Sequence, residues 1–162
     1  MSSAAVLRCT APRVNTAAPR VNRGCNRLFC SVPNTNIGYC RLAFNARTTA
    51  ELPLRARIFD SPAGRAFKES CPHTIPSLQV FGNEVYGSLK CALPMTKPLS
   101  IIPPGGLAYS HQGQYLCVFF GQAPAWPVEY FAQIEVGWEA LQGGHWKNLD
   151  ASLEDPLAMS SY

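Results

Sequence analysis

The residues best suited to chemistry lie between positions 80 and 120. Glu84 and Tyr86 stand two residues apart, the spacing that sets both side chains on one face of a β-strand. Joined by Tyr109 and Phe119, they would form a concave aromatic wall with one carboxylate, suited to a small molecule or a short peptide. The alternative is that Tyr86 and Tyr109 are amphipathic barrel residues and Glu84 a solvated hairpin position. Cys117 sits inside an apolar run, where desolvation disfavours the thiolate and core packing is the natural role. His73, His111 and His145 are far apart, with no H-x-x-x-H or paired-cysteine spacing, so no metal site and no cofactor are expected. Cys25 and Cys30 have neither a second pair nor a histidine beside them. Pro103-Pro104-Gly105-Gly106 lacks the Gly-Lys-Ser/Thr ending of a phosphate cradle, and no serine stands in a G-x-S-x-G context.

The elements that must position these residues read as short strands. Leu52, Leu54, Ala56 and Ile58 alternate with Arg55 and Arg57, the period of a half-buried strand. Ser61-Pro62 reads as the N-cap and first residue of a short helix that buries Ala63, Ala66 and Phe67 and stops at Cys71-Pro72. Two strand-like runs flank Gly82-Asn83, where glycine at the first central position suits a type II′ hairpin. Pro94 to Gly106 is a long irregular loop without a ladder. Strand character resumes at Leu107 to Tyr109 and at Tyr115 to Phe120, the latter apolar on both faces and so a central, covered strand. Tyr130 to Leu141 reads as one more strand, and Gly143 to Tyr162 as a weakly structured tail. Short strands, one helix and no βαβ alternation predict a mainly β protein, a small antiparallel β-barrel.

Charge divides the 162 residues unevenly. Residues 1–50 carry seven arginines and no Asp or Glu; from Glu51 onward seven Lys and Arg meet ten acids, a net charge of −3. The reading is a disordered basic leader at 1–50, a domain at 51–145 and the tail at 146–162. An acidic body offers no basic groove, so no nucleic acid is expected on the folded domain. No apolar run reaches the roughly 20 residues of a membrane-spanning helix, and no membrane partner is expected. The leader repeats Ala-Pro-Arg-Val-Asn at 11–15 and 18–22, and its Arg-rich, acid-free composition is that of a transit peptide. Pro12 and Pro19 interrupt the amphipathic helix that mitochondrial import reads, which leaves plastid import open. A solvated basic arm, a mis-assigned start and a nucleic-acid-binding tail fit the same composition. The expected location is organellar if the leader is a transit peptide and cytoplasmic otherwise. Seven cysteines without a C-x-x-C pair suit a reducing or organellar compartment with free thiols.

Taken as a string, Ser61-Pro-Ala-Gly-Arg-Ala-Phe67, Val80-Phe-Gly-Asn-Glu-Val-Tyr86, Gly106-Leu-Ala-Tyr109 and Leu116-Cys-Val-Phe-Phe-Gly121 closing on Ala123-Pro124 resemble a small cyclophilin-like family of uncharacterised, mainly prokaryotic proteins. The resemblance covers about Leu52 to Leu141 and implies a compact cyclophilin-type barrel, with Glu84 and Tyr86 matching the family's Glu-x-Tyr. This chain has Gly105-Gly106 where members carry Gly-Asp, Ser110-His111 where they carry Trp-Pro, and Ala123 where they carry Thr or Ser. True cyclophilins place an arginine after Phe-His beside the proline amide. No Phe-His-Arg occurs here, and the domain's arginines are Arg55, Arg57 and Arg65. The leading expectation is therefore a domain that binds a small molecule or peptide without strong catalysis. Prolyl isomerisation by fold analogy and an interaction subunit presenting Trp126, Tyr130 and Phe131 are the alternatives.

Overall fold

The computed structural model describes residues 35–155. The basic leader up to residue 34, with its repeat and Cys25 and Cys30, and the last seven residues lie outside the described residues. Among the described residues nine antiparallel strands run in the order β1 Asn36–Ala46, β2 Glu51–Phe59, β3 His73–Ile75, β4 Gln79–Phe81, β5 Glu84–Ser88, β6 Gly106–Ser110, β7 Tyr115–Phe119, β8 Glu129–Ile134 and β9 Trp146–Leu153, with one α-helix, α1 Pro62–Ser70, after β2. They form one curled sheet ordered β3-β9-β1-β2-β8-β6-β7-β5-β4.

The two edges of this sheet, β3 and β4, are halves of one chain segment. His73 to Ile75 pairs with β9, Gln79 to Phe81 pairs with β5, and the Leu78 amide between them donates to the Lys147 carbonyl at 2.8 Å. Gly87 of β5 lets that segment lie close: a Cβ there would stand 2.8 Å from the Ser77 carbonyl oxygen and 2.4 Å from Ile75. The small antiparallel barrel expected from the strand pattern is present as a curled half-barrel, in which one segment serves both edges.

Helix α1 begins as its residues dictate. Ser61 Oγ accepts the Gly64 amide at 3.1 Å, Pro62 occupies the first position, and the extended Cys71 ends the helix ahead of Pro72. Its buried Ala63 and Phe67 pack onto β1, β2 and β8, and Gly64 approaches the Phe59 carbonyl closely enough to exclude a side chain.

Three boundaries differ from the sequence reading. The domain does not start at Glu51, because β1 lies upstream of it, between β9 and β2, with Cys40, Leu42 and Phe44 fully buried. Nor does it end at 145. β9 occupies the expected tail, burying Trp146, Leu149 and Ala151, with the Trp146 ring edge-on to Phe44 at 5.9 Å. The strand expected over Tyr130 to Leu141 stops at Ile134, since Gly137 takes a left-handed φ of 89° and a 3-10 helix follows over Trp138–Leu141.

Two outcomes follow. A chain shortened to begin at Glu51 loses a central strand and should show no cooperative thermal transition, whereas one beginning at Thr35 should melt as the full chain does. Gly87→Ala should destabilise the domain by about 1–3 kcal/mol in urea unfolding, because the backbone oxygen of Ser77 must shift to admit the methyl group.

Candidate functional site

Strands β5, β7 and β6 are covered on both faces, and alternation assigns each residue to one of them. Val85, Leu116, Val118, Leu107 and Tyr109 enter the main core. On the opposite face β-ladder register aligns Glu84 with Phe119 and Gly106, Tyr86 with Cys117 and Ala108, and Tyr115 with Ser110. The middle row is small at Cys117 and Ala108 while its neighbours carry rings. A depression results, with an aromatic rim.

The segment from Gln122 to Trp126 walls this depression into a cavity of about 420 Å³. Its lining includes Glu84, Tyr86, Tyr115, Cys117, Phe119 and Trp126. Two side-chain contacts fix the wall. Trp126 Nε1 donates to Ser110 Oγ at 2.7 Å, and Gln122 is held at both ends of its amide, its oxygen accepting the Asn83 amide at 2.8 Å and its nitrogen donating to Glu84 Oε2 at 3.3 Å. The hairpin that carries Glu84 turns at Gly82 with φ of 58°, and Asn83 is not left-handed, as a II′ turn requires. A side chain at Gly82 would collide with Gln122. The rim is set by Tyr86 and Tyr115, edge-to-face at 5.2 Å, with the Tyr86 hydroxyl donating to Gln79 Oε1 at 2.7 Å.

Behind the pocket, Ile102, Phe119 and Val128 form a second small core beneath the loop that follows β5. That loop is not wholly without pairing, since Leu99 and Val128 exchange a β-bridge. The nearly inaccessible Glu129 anchors it by accepting the Thr96 and Lys97 amides at 3.1 and 2.9 Å and the Thr96 hydroxyl at 3.0 Å. A carboxylate so fully committed to backbone donors has a structural role.

The electrostatics centre on Glu84. Burial pushes its carboxyl above the ordinary value of 4.5, while bonds from the Cys117 thiol and the Gln122 amide act in the opposite direction. Burial, followed by the adjoining Glu84 charge, holds the Cys117 thiol far above its usual range, so it is a donor to Glu84 and not a nucleophile.

Of the four residues expected to bind ligand, three meet in this cavity. Glu84, Tyr86 and Phe119 line it; Tyr109 does not, because its neighbours Ala108 and Ser110 take the pocket face and turn Tyr109 into the main core. The cavity adds Ser110, Tyr115 and the wall from Gln122 to Trp126, none of them among the four expected ligand-binding residues. The even spacing of Tyr115, Cys117 and Phe119 was the available signal. The expected surface cluster of Trp126, Tyr130 and Phe131 does not form: Phe131 is buried against Phe67, and Tyr130 turns the other way, edge-on to Phe59.

The histidines are dispersed over β3, the β6–β7 turn and the residue before β9. Among the described residues no three His, Cys, Asp or Glu side chains group so as to hold a metal ion. A second polar cluster lies at the end of α1, where Ser70 Oγ stands 3.0 Å from His73 Nε2 and accepts the Cys91 thiol at 3.4 Å. Its own proton satisfies the Ala66 carbonyl at 2.6 Å, and burial, reinforced by Cys91, pushes the Cys71 thiol up to about 11. This arrangement ties down the helix end.

A curled antiparallel sheet with one helix and a pocket on its outer face defines the cyclophilin-type class. The cyclophilin-like family model matches residues 41–145, well over half the chain, and the chain belongs to that family. The match starts within β1, ahead of the resemblance seen from Leu52. The chain is also similar to the solution structure of a hypothetical protein from Archaeoglobus fulgidus, with a TM-score of 0.58 and 18% identity over 75% of this chain and 98% of that one, a likeness of fold. No curated protein matches the sequence.

Because the folded state holds the Glu84 proton more tightly than the unfolded one, stability falls as pH rises from 4.5 through the raised value. Glu84→Gln should therefore melt above the native chain at pH 7, with the gap closing below pH 4.5. Thermal scans across that range test it; an equal or lower midpoint at pH 7 contradicts it.

Proposed function

We propose that the chain is a non-catalytic binding protein that takes a small molecule, or the side chain of a short peptide, into the pocket at Glu84, Tyr86 and Phe119. The observation that carries this reading is the convergence of these three on a cavity of about 420 Å³, within the range of ligand sites and largely apolar with few polar groups. Its wall is braced by Trp126 and Gln122 independently of any ligand, which lowers the ordering cost of binding. Catalysis has little to draw on there. The lining contains no arginine to place beside a proline amide, no histidine, and a cysteine whose thiol stays protonated.

A set of ring-bearing fragments titrated into the isotope-labelled protein tests the reading. Amide shifts should concentrate at residues 84–86 and 117–126 and saturate at sub-millimolar concentration, and Tyr86→Ala should weaken the best fragment by about tenfold or more while the fold persists. Shifts confined to other surfaces, or binding indifferent to Tyr86, would overturn it.

A further inference from the structure

Resting on the reading of this cavity as a binding site, we infer that its ligand class is an organic ammonium: one cationic nitrogen, seated at Glu84, on an apolar body packed between the rings of Tyr86, Phe119 and Trp126.

The charge inventory of the lining points this way. Glu84 is its sole carboxylate, and no Lys, Arg or His accompanies it. Elsewhere Glu51, Glu154, Glu135 and Asp60 are each taken by an arginine. Glu84 enters none of these. Its donors are both neutral, the Gln122 amide at a long 3.3 Å and the Cys117 thiol, and a carboxylate can accept about four bonds. Acceptor capacity thus remains on an acid removed from much of its water. An anionic ligand meets no countercharge, and a neutral apolar one displaces the remaining water without replacing its hydrogen bonds. A cation supplies both charge and donors, and aromatic rings line the same cavity, the side-chain type that attracts cations.

Ammonium is favoured over guanidinium by the scarcity of other acceptors. Gln122 Oε1 already accepts the Asn83 amide and Ser110 Oγ already accepts from Trp126, which leaves Glu84 as the one charged acceptor in the lining. The five donors of a guanidinium would find one carboxylate, whereas a compact ammonium directs its few donors there.

The test compares three molecules of one shape: 2-phenylethylamine, 2-phenylethanol and phenylacetate, titrated against the full chain at pH 7.5 and followed by amide shifts at residues 84–86 and 122–126. The amine should bind about tenfold more tightly than the alcohol, with phenylacetate weakest. Glu84→Gln should collapse the amine-to-alcohol ratio to about two or less, its folding checked by thermal melting. In the native chain, raising NaCl from about 20 to 500 mM should weaken the amine and spare the alcohol. Equal binding of amine and alcohol in the native chain, or a ratio unmoved by Glu84→Gln, overturns the ammonium assignment while leaving the pocket a binding site. If none of the three binds and no other ring-bearing fragment does, the pocket reading itself falls.

Discussion

Closure of the sheet rests on one stretch of nine residues that belongs to both of its edges. His73 to Phe81 pairs first with β9 and then with β5, and the crossing between them lies against Gly87, where there is no side chain to hold it off. The hydrophobic interior is enclosed because these two ladders share a segment. Ile75 and Leu78 then complete a core with Leu42, Phe44 and Phe67. An exposed sheet edge is a pairing hazard, and using one segment twice leaves little of it bare.

The second face of the sheet builds the pocket by different means. Nothing covers β5, β6 and β7 there except irregular chain, and irregular chain holds its shape only where its polar groups are answered. Glu129 answers the backbone at Thr96 and Lys97, Gln122 answers Asn83, and Ser110 answers Trp126. Three polar side chains thereby do for this face what a packed helix does for the other.

Much of the barrel was legible because strand alternation and turn chemistry are local. Leu52 to Ile58, the Ser61-Pro62 cap, the Gly82 turn and the doubly apolar Tyr115 to Phe120 all behave as their residue types require. What misled was charge. Arg41 and Arg47 extended the acid-free composition of the preceding residues into β1, although Cys40, Leu42 and Phe44 alternate as plainly as the next strand does. The first acid, Glu51, falls inside the β1–β2 hairpin and binds Arg41 across it at 3.1 Å. The composition boundary thus runs through the middle of a structural unit. Tyr109 was misplaced for a related reason: its face depends on the phase of β6 relative to β7, which register sets and residue type does not.

Strand β7 serves two compartments at once, and the period of two keeps them apart. Tyr115, Cys117 and Phe119 floor the pocket, while Leu116 and Val118 fill the barrel. Odd and even positions therefore form two nearly independent alphabets written on one five-residue string. A lineage could rewrite the odd letters, reshaping the pocket, while the even letters continued to spell the same fold. Members of a family built on such a strand can diverge in the lining of this pocket without diverging in fold.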